Sequence, residues 1–349
     1  MRNFWEKLSV EKKPFFCLAP MADVTDAAFR QVVAEYSKSK LPNNKQKGGP
    51  DVIFTEMVAC DGLCSVGQEK LLPLLKFSKI ERPVVAQLFG SRPKNFIRSA
   101  QLIKELGFDG IDINMGCPQK NILKQGAGSD LINHPDLAKE IIQATKVGAG
   151  GLPVSVKTRI GFNKNELETW LPILLEEQPA MITIHGRTKK EMSKVPAHWD
   201  VIKRATEIAE GSGVIIVGNG DIQSIEDGKE KAQASGVDGV MIGRAILGKP
   251  WLFDISESSE SAYSAGRVQP PKVSEVIAVL IKHLELFEKL YGPDNQNGRV
   301  KNFALMKKHM GAYLVGFKGA KELRSRLMRC ENEKEAIEIL KSLGGSTSK

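Results

Sequence analysis

Between Phe15 and Phe253 the chain alternates short apolar runs with stretches whose apolar residues recur every three or four positions. The runs FFCLAPMA, DVIFTEM, PVVAQLFG, GIDINMGC, PVSVKTRIG, AMITIHGRT, VIIVGNGDI and GVMIGRAIL have the length and bounding residues of strands. Segments such as PKNFIRSAQLIKEL, PDLAKEIIQAT and SIEDGKEKAQAS lie between them and carry helical periodicity. Two of these open with proline near the first helical turn, where its missing N–H costs nothing. The alternation predicts parallel βα units, and eight of them over about 240 residues is the size of a TIM (β/α)8 barrel. A doubly wound open sheet is the competing architecture, but no GxGxxG fingerprint follows the first strand.

The pattern changes after residue 254. ISESSESAYSAGRVQPPK, residues 255–272, is rich in Ser, Gly and Pro and reads as a linker. Beyond it, SEVIAVLIKHLELFEKLYG, RVKNFALMKKHMGAYLVGF and AKELRSRLMRC are amphipathic, so residues 273–349 predict a small C-terminal helical bundle with a short polar tail. Residues 1–254 then form the barrel domain, with SKSKLPNNKQKGGP, 37–50, as a basic insertion loop.

Most predicted strands end in polar or chemically able residues: Gln87, Asn114 and Cys117, Lys157 and Arg159, His185 and Arg187, Asn219 to Asp221, Gly243 and Arg244. A barrel gathers all such ends on one face, where barrel enzymes place their chemistry. The glycine-rich ends VGNGDI and MIGRAILGKP, with Asn219 and Arg244, suit a phosphate between the last two strands, and GKPWLF predicts the short extra helix that would complete it. His185 lies next to that site as a second phosphate ligand. Lys157 admits two readings: a Schiff base with a carbonyl substrate, or a fixed positive charge against an electron-rich ring. Gln87 and Asn114 offer amide donor–acceptor pairs to the edge of a planar ring. Together these residues describe a flavin mononucleotide site. Cys117 sits on a loop beside it and suits a nucleophile, a metal ligand or a proton donor. An ordinary thiol is mostly protonated at neutral pH, although the nearby Lys120 and Lys124 would tend to lower its pKa.

Composition adds three things. A net charge of +9 makes a polyanion a natural partner, against the alternative of a protein that is merely basic. Nine lysines and arginines from Arg299 to Arg329 crowd the helical region and strengthen the first reading. No apolar run approaches membrane-spanning length, and MRNFWEKLSVEKKPFF lacks the features of a secretory signal, so a soluble cytoplasmic protein without membrane attachment is expected. Five cysteines with no paired framework agree with a reducing compartment. Cys60 and Cys64 in CDGLC have no clustered partners, so they read as structural and no metal site is expected.

The segments APMADVTDAAFR, TEMV, AQLFGS, DINMGCPQKNILKQGAGSDLI, VSVKTRIG, IHGRT, GNGDI and MIGRAILGKPWLF, in this order, resemble the tRNA-dihydrouridine synthase family. The resemblance runs from about Phe15 to Phe253, and MKKHMGAYLVGFKGAKELR is similar to the family's C-terminal RNA-binding domain. It implies an FMN enzyme that uses NADPH to reduce the C5–C6 double bond of particular uridines in tRNA. Reduced flavin would give a hydride to C6, and Cys117 would protonate C5. It further implies flavin contacts at Pro20, Met21, Ala22, Gln87, Lys157, Asn219, Gly220, Asp221, Gly243 and Arg244, with His185 at the phosphate. Asn114 and Arg159 would face the uracil, and Lys120 and Lys124 the RNA backbone. One stretch departs from the pattern: many members carry a tyrosine-glycine segment between HGRT and the tryptophan, where this chain has KKEMSKVPAHW, residues 189–199. Three other functions share some of these features. A flavin barrel acting on a free pyrimidine, like dihydroorotate dehydrogenase, has no need of a basic helical tail. A Schiff-base aldolase would use Lys157. An RNA-binding protein would have kept the barrel without turnover.

Overall fold

The computed structural model of the chain describes residues 3–37, 39–40, 46–47, 49–254, 272–293 and 298–344. Eight parallel strands close into a barrel: β1 (Phe15–Leu18), β2 (Val52–Ala59), β3 (Val84–Phe89), β4 (Gly110–Met115), β5 (Val154–Arg159), β6 (Met181–His185), β7 (Ile215–Asn219) and β8 (Gly239–Ile242). Each pairs with its sequence neighbours, and β8 returns to β1 with Phe15 opposite Gly239. The (β/α)8 expectation therefore holds. Helices Pro93–Glu105, Pro135–Ala149, Leu167–Glu176, Trp199–Ile208 and Ile225–Ser235 connect strands from β3 onward. Two of them start with proline, as their sequences require.

The barrel's interior explains where chemistry can occur. Phe15, Cys17, Val52, Phe54, Val85, Met181, Ile215, Val217 and Met241 fill it from alternate strand positions. Trp5, fully buried, closes the N-terminal end with its ring 5.9 Å from Phe15 and 6.1 Å from Phe54. It is carried by helix Phe4–Glu11, whose first turn is capped by the Asn3 side chain accepting from the Trp5 and Glu6 amides. The opposite mouth is left for polar groups.

The chain divides into two compact units. One holds residues 1–22, 50–75 and 81–245; the other holds 23–49, 76–80 and 246–349. The second unit contains helices Val273–Tyr291, Ala304–Tyr313, Ala320–Leu327 and Glu333–Gly344, together with Ala27–Ser37. Ala27, Ala28 and Val32 share an apolar cluster with Leu280, Leu284, Phe287, Met306, Met310, Leu323 and Leu340, and Tyr291 accepts the Ala27 amide at 2.9 Å. The same apolar stripe that makes Ala27–Ser37 amphipathic thus ties it to the C-terminal helices.

Two local expectations turn out differently. GKPWLF forms turns, and the short helix lies at Arg244–Ile246 instead. Gly248 adopts φ 73°, which a right-handed helix cannot hold, and a Cβ there would meet the Ala312 carbonyl at 2.1 Å, so only glycine fits. Within the 37–50 insertion, Ser39–Lys40 pairs antiparallel with Gln46–Lys47. The linker 255–272 lies outside the described residues except for Lys272. Among the described residues, no helix is long and apolar enough to cross a membrane, and no group of three or more metal-ligating side chains is present.

Candidate active site

The interior of the barrel changes character on the β3–β5 side. Gln87, Asp112 and Ser155 are in register on three adjacent strands, with Asn114 and Lys157 paired one layer nearer the mouth. Asp112 is fully buried and accepts from Gln87 Nε2 and from Ser155 Oγ, each at 2.7 Å. Gln87 Oε1 in turn accepts from Asn114 Nδ2 at 2.9 Å. Burial pushes the Asp112 carboxyl up to about 6, against the pull of these bonds and of Lys157. The β2–β3 register shifts between Phe54 and Met57, and Thr55 Oγ1 takes the Gln87 amide at 3.1 Å. This irregularity brings Met57 to the cleft wall, 3.5 Å from Asn114 Nδ2.

The loop after β4 is held from both sides. Asn114 Oδ1 accepts from the amides of Gly116 (3.2 Å) and Cys117 (2.9 Å). The Cys117 carbonyl accepts from the Ser129 amide and hydroxyl, both at 3.0 Å. Gly128 makes this return possible: its φ is 64°, and a Cβ would lie 2.8 Å from the Cys117 carbonyl. The glycine-rich GAGS stretch therefore anchors the cysteine. Cys117 is half-buried, and burial raises its thiol pKa despite the opposing pull of the Gln119 backbone, Arg159 and Lys157. The thiol is protonated at neutral pH, so the lysine effect weighed from sequence does not prevail. Lys120 and Lys124 sit on and just after the short helix Lys120–Leu123, exposed and apart from the cleft lining.

Beside the thiol loop lies a cationic wall. Lys157 Nζ donates to Asn219 Oδ1 at 3.1 Å, and Asn219 Nδ2 donates to the Met241 carbonyl at 2.8 Å. Burial and the neighbouring Arg159 push the Lys157 ammonium down to about 8, against the attraction of Asp112 and Cys117. Arg159 bridges two loops, donating to the Gly116 carbonyl at 2.6 Å and the Thr188 carbonyl at 3.2 Å. Burial lowers its guanidinium to about 10. His185 Nε2 lies 3.2 Å from an Arg187 nitrogen, and burial with four surrounding cations holds the imidazole neutral. Asp221, at φ 51°, ties Arg187 and Arg244 together through its two carboxylate oxygens. Gly220, with φ 131° and only 2.7 Å between an added Cβ and Ala197, lets the strand-seven loop turn there, and Trp199 Nε1 holds its carbonyl at 2.9 Å.

These walls enclose a cleft of about 690 Å³. It gathers Cys117, Pro20, Met21, Ala22, Gln87, Asn114, Lys157, Arg159, His185, Asn219, Gly220, Asp221, Gly243 and Arg244, all of the predicted site residues except Lys120 and Lys124. Its lining also includes Met57 and Met192, which sequence reasoning did not assign, and Asp112 lies behind it. A signal for Asp112 was present: a carboxylate at an inward position of an otherwise apolar strand needs buried partners. Met192, at φ 53° and 47% exposed, falls in the atypical loop 189–199 and had no such signal.

A closed parallel barrel with its polar and ionic side chains concentrated at the C-terminal mouth defines a (β/α)8 enzyme. The fold is shared with histamine dehydrogenase from Rhizobium sp. 4-9, at TM-score 0.52 and 14% identity over 78% of this chain, which spans about half (48%) of that longer chain. Residues 17–344 match the family model described as dihydrouridine synthase. Curated relatives include a probable tRNA-dihydrouridine synthase of Staphylococcus aureus (strain COL), 39% identical over 97% of this chain and 94% of the relative. A Staphylococcus epidermidis protein of the same name (strain ATCC 12228) is 40% identical over 97% and 95%, and Bacillus subtilis probable tRNA-dihydrouridine synthase 2 is 38% identical over the same shares. The chain belongs to the dihydrouridine synthase family.

Proposed function

We propose that the protein is a tRNA-dihydrouridine synthase that works with bound flavin mononucleotide and takes its reducing equivalents from NADPH. The observation that carries this reading is Cys117, on a loop anchored through Asn114 and Ser129, lining the same barrel mouth as Lys157. Family membership and the names of the relatives supply the substrate class.

The residues present fit the cofactor. The cleft volume lies within the few hundred to about 1,000 Å³ usual for such ligands. Pro20, Met21, Ala22 and Met57 give an apolar wall for a ring system, while Gln87 and Lys157 give it a polar edge and a positive charge. Gly220, Gly243, neutral His185 and Arg244 would hold the phosphate, with Asp221 aligning Arg244 and Arg187 behind it. When bound, flavin mononucleotide supplies a hydride to the electron-poor end of the uracil double bond.

The chain's own residues do the rest. Cys117 Sγ gives its proton to C5, a role suited to a thiol whose pKa burial has raised. The Asn114 carboxamide bonds Gln87, Met57 and the Gly116 and Cys117 amides, and so holds the thiol loop. Arg159 clamps the loops after β4 and β6 against each other. A stacked uridine cannot reach such a mouth and must be flipped out, at a cost of about a few kcal/mol. Exposed Lys120 and Lys124, and Lys308, Lys318, Lys321, Arg326 and Arg329 of the helical unit, would offset that cost on the phosphate backbone. A tRNA substrate also supports a cytoplasmic location. The test is incubation of the purified holoprotein with unmodified tRNA and either NADPH or NADH. Faster flavin bleaching with NADPH and a two-hydrogen mass gain at defined uridines are expected. Bleaching followed by reduction of a free pyrimidine, with tRNA untouched, would overturn the reading.

A further inference from the structure

The chain of bonds behind the cleft has a direction. Ser155 Oγ and Gln87 Nε2 both donate to Asp112, Asn114 Nδ2 donates to Gln87 Oε1, and the Gly116 and Cys117 amides donate to Asn114 Oδ1. A carboxylate accepts and never donates, so it fixes the far end of Gln87 just as the two loop amides, which only donate, fix the near end of Asn114. Reversing that amide would set a carbonyl oxygen against Asp112 and an NH2 group against the NH2 of Asn114. Reversing Asn114 would then leave the two loop amides facing donors. Gln87 is 1% exposed, Asn114 8% and Asp112 0%, so no bulk water is at hand to rescue a wrong orientation.

We infer that Asp112 is a positioning residue: through Gln87 and Asn114 it fixes the polarity of a three-residue relay that holds the Cys117 loop in place. The relay ends on backbone, which is why the cysteine can be rigid while its own thiol makes no bond to the relay. The inference deepens the proposed function and rests on it only for the identity of the reaction. The orientation of the loop stands on geometry alone.

A carboxamide at this position keeps the shape and loses the acceptor-only character, since it can present either end to Gln87. The experiment is a cycle of Asp112→Asn, Gln87→Glu and the double variant in the full-length holoprotein. The rate of iodoacetamide labelling at Cys117 is read by peptide mass spectrometry, and half-exposed Cys64 serves as internal reference. Asp112→Asn is expected to speed labelling of Cys117 by about fivefold, the effect of weakening one buried hydrogen bond. Cys64 labelling should stay constant. Gln87→Glu sets two carboxylates together and should also loosen the loop. In the double variant the carboxylate introduced at position 87 can accept from the carboxamides at positions 112 and 114. Labelling should then return close to the native rate, a non-additivity that loss of packing would not produce. Turnover on tRNA should fall in kcat and leave KM unchanged in Asp112→Asn. Native labelling and native kcat in that variant, or simple additivity in the cycle, would overturn the inference. Should Asp112→Asn fail to fold, Asn114→Asp cuts the same relay while keeping the acceptor for the loop amides, and native Cys117 labelling there is equally fatal. If no form reduces tRNA, the proposed function fails, while the labelling cycle still reports on the relay.

Discussion

Replacing Lys157 with methionine should make the flavin-free protein more stable and the enzyme worse. Burial beside Arg159 pushes the Lys157 ammonium from 10.5 to about 8. That difference is worth about 3 kcal/mol of charge burial, and the side chain's partial opening to the cleft reduces it to about 2 kcal/mol. Methionine also loses the 3.1 Å bond to Asn219, worth about 1 kcal/mol. The balance is a gain of about 1 kcal/mol near neutral pH, or about 2–4 °C in melting temperature for a unit of this size. The sign of the pH dependence follows from the unfolded chain binding the extra proton. The native protein therefore gains stability as pH rises from about 8 toward 10.5, and the advantage of the variant disappears over that window. Thermal melts of flavin-free Lys157→Met and native protein at pH 7, 8.5 and 10 measure this directly, with flavin titration of each to show weakened binding. A variant less stable at pH 7, or an advantage unchanged at pH 10, would refute the account of Lys157 as a charge held for a ligand.

Gly128→Ala forces an alanine to φ 64° with its Cβ 2.8 Å from the Cys117 carbonyl. It should cost about 2–3 kcal/mol and lower turnover on tRNA by more than tenfold at unchanged flavin content, read by melting and by steady-state kinetics. Trp5→Ala removes the plug at the far end of the barrel and should destabilise that unit by about 3–5 kcal/mol in urea titration, with kcat kept in the fraction that stays folded. Burial, with Lys308 and Lys301 near, pushes His309 down to about 3. Its contribution to stability is present above about 6.5 and lost as pH falls toward 3, about 3 kcal/mol by pH 4.5; a His309→Phe variant should show a flatter acid limb in melts of the full chain.

The barrel was legible because two periods alternate along the sequence and the polar residues come at strand ends. That placement needs no contact to be known. The contacts themselves span the chain: Lys157 meets Asn219 across 62 positions and Gln87 meets Asp112 across 25. Residue types alone suggested that Gln87 and Asn114 would face a ligand. Only the geometry shows that Asn114 also holds the loop, because an amide's partners depend on its neighbours and not on its own chemistry. Lys120 and Lys124 lie close to Cys117 in sequence, yet one turn of helix directs them to solvent. In the same way ENEKEAIEILKSLG carries a helix whose buried Ala336 and Leu340 are four apart, a pattern too sparse to stand out among its charges. The grouping of Ala27–Ser37 with the C-terminal helices had no sequence signal at all.

The most direct test of the central claim compares native protein with Cys117→Ala on unmodified tRNA and NADPH, with dihydrouridine mapped by mass spectrometry. The account predicts dihydrouridine at defined positions with native protein and at least a hundredfold less with the variant, both retaining flavin. Equal yields from the two proteins would show that the proton comes from elsewhere, and loss of flavin with the cysteine would show that Cys117 holds the cofactor instead.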